Sequence, residues 1–131
     1  MKSVWREPYI TINIIFAVVL VSILTYFGIF SCTDAYPVGA FTSRPLSSTG
    51  LQRALSEWVR FRPQSAMQFN PYSLGIFVFF VVQLIARILF SIIYLIKPDA
   101  RRGLILTDAI VSILLFLCAF LPMNIAMLFN N

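Results

Sequence analysis

The sequence predicts an all-α membrane protein: three transmembrane helices, with a short amphipathic helical hairpin in the long loop between the first and second. Two observations carry that expectation. Apolar residues make up 60% of the chain and charged residues only 11%, where a soluble domain carries roughly 25% charged. So few charges cannot cover the surface of a small water-soluble protein, whereas in a bilayer apolar side chains face lipid. Second, three apolar stretches are each long enough, as helices, to cross roughly 30 Å of hydrocarbon. At 131 residues the chain has the length of one domain, residues 1–131.

The first span runs from about Tyr9 to Phe30 and contains Thr11, Asn13, Ser22 and Thr25 but no charge. Lys2 and Arg6 precede it, as in a signal peptide, and Ile29-Phe30-Ser31-Cys32 loosely resembles a lipoprotein cleavage site. The run exceeds the roughly 7–15 residues of a signal core, so a retained span is expected. The second span, about Tyr72 to Ile96, contains Gln83 and Arg87; the third, about Leu104 to Leu128, contains Asp108, Pro122 and Asn124.

The loop between the first two spans opens with Pro37, Gly39, Pro45 and several Ser and Thr, which predicts irregular chain. Thr49 and Gln52 then have the spacing of a helix capping box. The helix that follows, within about residues 50–69, places Leu51, Ala54, Leu55 and Trp58 on one face, with Arg53 and Glu57 spaced for an ion pair on the other. Pro63 ends it and opens a second short turn, and Asn70-Pro71 breaks the chain before the second span. Such a hairpin either lies in the headgroup layer with Trp58 dipped inward, or packs on the ends of the spans.

Charge placement sets the expected orientation. Lys2 and Arg6 in the N-terminal tail and Lys97, Arg101 and Arg102 in the short turn lie on one side; Arg44, Arg53, Arg60 and Arg62 in the long loop lie on the other. The first set sits close to the spans in short segments, where the positive-inside rule acts most strongly. The N-terminus is therefore expected in the cytoplasm, with the long loop and the C-terminus outside. The net charge of +5 is spread beside apolar runs and not gathered on one solvated face, which points to anionic lipid and away from nucleic acid.

The loop residues also carry a resemblance. Ser48-Thr49-Gly50-Leu51-Gln52-Arg53-Ala54, followed by Arg62, Ala66 and Asn70-Pro71 before a span, resembles the small bacterial membrane proteins of domain of unknown function family 2752. Members show Cys-Pro-x-Cys-Gly-x-x-Arg-Ala, then an amphipathic stretch, then Asn-Pro opening a transmembrane helix. The likeness covers roughly residues 30 to 95 and implies a bacterial inner membrane. Gly50, Arg53, Ala54, Asn70 and Pro71 match the pattern. The family's cysteines fall on Leu46 or Ser47 and on Thr49, so no metal or redox role carries over.

Four polar residues are expected to share one depth within the bilayer. Arg87 lies about nine residues inside the second span, roughly 13 Å deep at helical rise. There an unpaired arginine costs at least about 2.5–3.5 kcal/mol. Asp108 and Asn13 lie near the same end of their spans and Gln83 one turn from Arg87, which predicts a cluster of Asn13, Gln83, Arg87 and Asp108. As function, the cluster is a proton or ion path or a headgroup site; as structure, it is a salt bridge fixing the second and third spans. Three short helices offer little polar lining for a path, which favours the structural reading. Arg53, Arg60 and Arg62 either hold phosphates or, with Trp58, anchor the loop at the interface. Phe77, Phe79 and Phe80 are expected to face lipid or to pack.

Chemistry has little material here. The chain has no histidine and no phosphate-binding glycine loop. Glu57 and Asp108 are expected on opposite sides of the membrane, and the two cysteines, Cys32 and Cys118, are read as small apolar residues. No enzyme activity, cofactor or metal is expected. Gly28, Ser91, Ser112 and Ala119 are small enough to let helices approach closely. The leading expectation is an accessory or structural subunit acting through intramembrane contacts with a partner or a second copy. The alternative is a small homo-oligomeric transporter or lipid-binding protein using Arg87 and Asp108.

Overall fold

A proline at the first helical position and a lipid-length apolar run give the first element. Pro8 supplies a backbone angle already suited to a helix start, and α1 runs Pro8–Phe30. The structure is a computed structural model that describes residues 7–30 and 50–129. It continues with α2, Leu51–Val59, α3, Pro63–Phe69, α4, Ser73–Ile96, a single 3-10 turn, Pro98–Ala100, and α5, Arg101–Phe129. The described residues contain no strand. Helices α1, α4 and α5 are long and apolar enough to cross a membrane, so the chain is a small integral membrane protein of all-α class.

The boundaries of the spans follow the sequence closely, with one correction. The third helix begins at Arg101 instead of near Leu104, because the 3-10 turn at Pro98–Ala100 runs straight into it. The connection shrinks to residues 97–100, and α4 and α5 are adjacent antiparallel helices. Pro122 removes one backbone donor from α5, yet the helix continues to Phe129.

Helix α4 is the centre of the molecule. It packs against α1 on one side and α5 on the other, while the backbones of α1 and α5 stay more than 8 Å apart. At the end capped by α2, the core consists of Leu55, Ile76 and Met123, walled by Phe27, Phe77, Phe80 and Phe120. Phe77 and Phe80 are therefore packing residues. Phe79 meets Phe116 and Phe120 edge-on across the α4–α5 seam, at 6.0 and 5.4 Å between ring centroids.

The loop helices form a hairpin that packs on the ends of α1 and α4. Trp58 stacks on Phe77 with centroids 5.7 Å apart, and its indole N–H donates to Ser73 Oγ at 2.9 Å. Trp58 is thus a packing residue of α4 and not a free interfacial anchor. Replacing it by Phe keeps the stacking and removes one hydrogen bond, with an expected loss of about 1 kcal/mol. Thermal unfolding in detergent measures this; an unchanged midpoint would mean the bond adds nothing.

The capping box is a second correction. Thr49 lies outside the described residues, and the residue that caps α2 is Gly50, without a side-chain cap. Gln52 instead donates from Nε2 to the Tyr26 hydroxyl at 3.4 Å. Gly50 is left-handed, with φ 77°, and a Cβ there would lie 2.6 Å from the carbonyl oxygen of Phe69. Only glycine fits both the angle and the space.

Candidate intramembrane polar site

Helical periodicity builds this site before any contact is considered. Gln83, Arg87 and Ser91 recur every four residues on α4, and Asp108 and Ser112 do the same on α5, so each set lines one helix face. Tyr9 and Asn13 add the same step on α1. Because α4 sits between the other two helices, its polar stripe meets both.

Arg87 is the hub. Its Nη1 donates to Asn13 Oδ1 at 2.9 Å and to Asp108 Oδ2 at 2.8 Å. Its Nη2 donates to Asp108 Oδ1, to Ser112 Oγ at 2.6 Å and to Gln83 Oε1 at 3.4 Å. The two forks face each other in a bidentate pair, the arrangement that suits guanidinium and carboxylate best. The Tyr9 hydroxyl donates to Asp108 Oδ2 at 2.7 Å, and Asn13 Nδ2 donates to Ser91 Oγ at 3.2 Å. Ser91 in turn donates to the Arg87 carbonyl at 2.7 Å. The side chains of Arg87 and Asp108 are only 10% and 5% exposed, and the Phe16 ring lies 5.8 Å from the guanidinium carbon.

All four residues expected in the cluster are brought together. Tyr9, Ser91 and Ser112 complete it, and sequence reasoning had treated Ser91 and Ser112 only as small residues. The signal that could have found them is the four-residue step from Arg87 and from Asp108. The pair itself is net neutral, which is what lets both charges sit among apolar helices.

A second layer lies toward the 97–100 turn. Arg101 Nη1 is 3.6 Å from Glu7 Oε1, and the Tyr94 hydroxyl donates to Glu7 Oε2 at 3.1 Å. Arg101 sits over the Tyr94 ring at 4.5 Å, and that ring lies 4.8 Å from the ring of Tyr9. Again α1, α4 and α5 each contribute a residue. Glu7 and Tyr94 were not foreseen, and Arg101 had been counted only as a charge setting orientation. Both partners of this ion pair are about one-third exposed, so it adds little stability beside the buried pair.

The remaining site residues gather at the opposite end. Gly50 and Ala54 let α2 pack closely, with Ala54 fully buried, and Arg53 lies over the Phe69 ring at 5.1 Å. Asn70 builds the turn into α4: its Oδ1 accepts from the Tyr72 amide at 2.9 Å, and its carbonyl accepts from Ser73 Oγ at 2.6 Å. Pro71 follows it and is itself exposed. Arg60 Nη2 donates to the Gly28 carbonyl at 3.2 Å, placing a cation at the carbonyl end of α1, where the helix dipole favours it. Glu57 takes Arg62, at 3.9 Å, in place of the expected pairing with Arg53. Glu57 and Asp108 lie at opposite ends of the molecule, since α2 packs on the last turn of α1 and Asp108 on its first. Cys118 has a free, outward-facing thiol, and Cys32 lies outside the described residues.

The fold and this site define an integral membrane protein of three spans whose buried ion pair is held by side chains from all three. No family model matches the chain, and neither the curated proteins nor the solved structures searched contain a match.

Proposed function

We propose that the protein is a non-enzymatic accessory subunit of a bacterial inner membrane, with its N-terminus cytoplasmic, acting through helix contacts with a membrane-protein partner. The observation that carries this reading is how Arg87 and Asp108 spend their polarity inside the molecule. Both carboxylate oxygens and both terminal nitrogens of the guanidinium are bonded to other side chains of the same three helices. Such a pair works as a clasp: it fixes α1 and α5 to α4 and leaves apolar helix faces for contact. On α4 the exposed face carries Val78, Val82, Ile85, Leu89, Ile92 and Ile96. Their alternating four- and three-residue steps are the spacing by which one helix packs along another.

The experiment is purification of tagged full-length protein in nanodiscs, with the mass of the particle and its components identified. A stoichiometric membrane-protein partner is the expected result. A homo-oligomer without such a partner would overturn the accessory reading.

A second reading has its own observation. Glu7, partly exposed, accepts a hydrogen bond from Tyr94; the Tyr94 ring lies tilted against that of Tyr9, with centroids 4.8 Å apart; and Tyr9 bonds Asp108, so titratable groups run from the surface to the buried pair. A small homo-oligomeric transporter would use that run. Asp108→Asn in proteoliposomes would then remove a proton-coupled flux while the protein stays folded.

A further inference from the structure

The corner between α2 and α3 holds a residue in a conformation it does not favour. Phe61 has φ 59°, in the left-handed region that residues with a Cβ adopt rarely and at a cost. Among the described residues the strain buries nothing, because Phe61 is 90% exposed. A glycine would relax the corner, yet a large aromatic ring stands there.

Its neighbours fix its height relative to the membrane. Val59 packs so closely on α1 that a Cβ at Gly28 would come within 3.1 Å of it. Arg60 bonds the Gly28 carbonyl, and Trp58 stacks on Phe77, one turn inside α4. At a rise of about 1.5 Å per residue, the 23 residues of α1 and 24 of α4 span roughly 35 Å. That exceeds the hydrocarbon thickness of roughly 30 Å by only a few ångström. By helix length, residues Trp58 to Phe61 therefore lie level with the hydrocarbon boundary. The next residue, Arg62, has a side chain 66% exposed, against 14% for Glu57, and its approach to that carboxylate is long at 3.9 Å, so most of the guanidinium stays open to a second anion.

We propose that this corner is a lipid-binding wedge. The Phe61 ring enters the acyl boundary of the leaflet where α1 ends and α4 begins, and Arg62 binds the phosphate of an anionic headgroup beside it. Aromatic rings and basic side chains favour these two depths for distinct reasons, burial and charge. The wedge would hold the hairpin flat on the membrane and is independent of the Arg87 site and of any protein partner.

The test uses the full chain in nanodiscs of mixed phosphatidylglycerol and phosphatidylcholine. A nitroxide is attached at position 61 in Phe61→Cys, with Cys32→Ser and Cys118→Ala. Native Cys118, labelled in Cys32→Ser alone, gives the lipid-facing reference. The expected result is collision with oxygen over a water-soluble nickel chelate, at a ratio severalfold above that of a nitroxide in water. A water-like ratio would overturn the proposal, and so would shielding from both reagents, which would mean that protein covers the corner. Phe61→Trp provides a second reading with the ring kept: its added emission should be quenched by chain-brominated lipid and not by aqueous iodide. Quenching by iodide alone would also overturn the wedge. For the phosphate contact, Arg62→Gln should lower co-purifying phosphatidylglycerol at least twofold, and an unchanged lipid ratio removes that part of the proposal.

Discussion

Asp108→Ala is expected to be the most damaging single substitution in this protein, and more damaging than Arg87→Ala. Removing one member of a buried ion pair costs about 3–5 kcal/mol, because the other is left without compensation. The two halves do not respond alike. A stranded carboxyl group can take up a proton and become neutral, and Tyr9 and Ser112 lie within reach to bond it. A stranded guanidinium keeps its charge, roughly 13 Å from the end of its helix. By comparison, a single hydrogen bond between membrane helices averages only about 0.6 kcal/mol, so Asn13, Gln83 and Ser112 cannot compensate the loss of the carboxylate. The double substitution Arg87→Ala with Asp108→Ala removes both charges and is expected to recover part of the stability lost in Asp108→Ala. Unfolding of the four proteins in detergent, combined as a double-mutant cycle, gives the coupling. Simple additivity would mean that the pair is not a clasp.

Gly50→Ala carries the second-largest expected effect, although it changes a single methyl group far from any charge. A left-handed residue with a Cβ costs roughly 1–2 kcal/mol. Here the added carbon would also stand 2.6 Å from the carbonyl oxygen of Phe69, a backbone atom that cannot move without shifting α3. The expected loss is about 2 kcal/mol or more, confined to the hairpin, since the spans do not depend on it for their helicity. Amide exchange should therefore quicken across residues 51–69 while α4 and α5 keep their protection. Uniform loss of protection throughout the chain would show that the hairpin is part of the same cooperative unit as the spans. Unchanged exchange would mean that the backbone at Gly50 relaxes freely.

Much of the polar site was legible because a bilayer makes depth a sequence property. Counting residues inward from the start of the first span and from the turn at 97–100 puts Asn13, Arg87 and Asp108 near one level, and charges at one level in a medium without water must pair. Tyr9 was harder to foresee, because a tyrosine at the start of a span reads as an ordinary interfacial residue. Its role comes from the position of α4 between the other helices, which lets a side chain on α1 reach a carboxylate on α5 without contact between their backbones. The layer of Glu7, Tyr94 and Arg101 was missed for the same reason: each residue alone has a common explanation at a membrane surface. In the hairpin, the amphipathic pattern correctly put Ala54 and Leu55 inside. The choice of Gly50 over Thr49 as the cap, and of Arg62 over Arg53 as the partner of Glu57, depended on where α3 folds back.

The sequence by itself determined that the chain crosses a membrane three times, where the spans lie to within a few residues, and that Arg87 and Asp108 had to meet. Those properties depend on position along a helix axis, and hydrocarbon thickness, helical rise and the energy of a buried charge set them without reference to neighbours. Only the tertiary structure decided that α4 is central, that Trp58 packs inward on Phe77 and Ser73, and that Phe61 turns outward beside Arg62. Those depend on rotation about each axis and on which helix lies next to which. Lipid and helix are equally apolar surroundings for most of these side chains. The hydrophobic pattern is therefore nearly silent on which face is turned to a neighbour, and close packing together with a few polar contacts makes the choice.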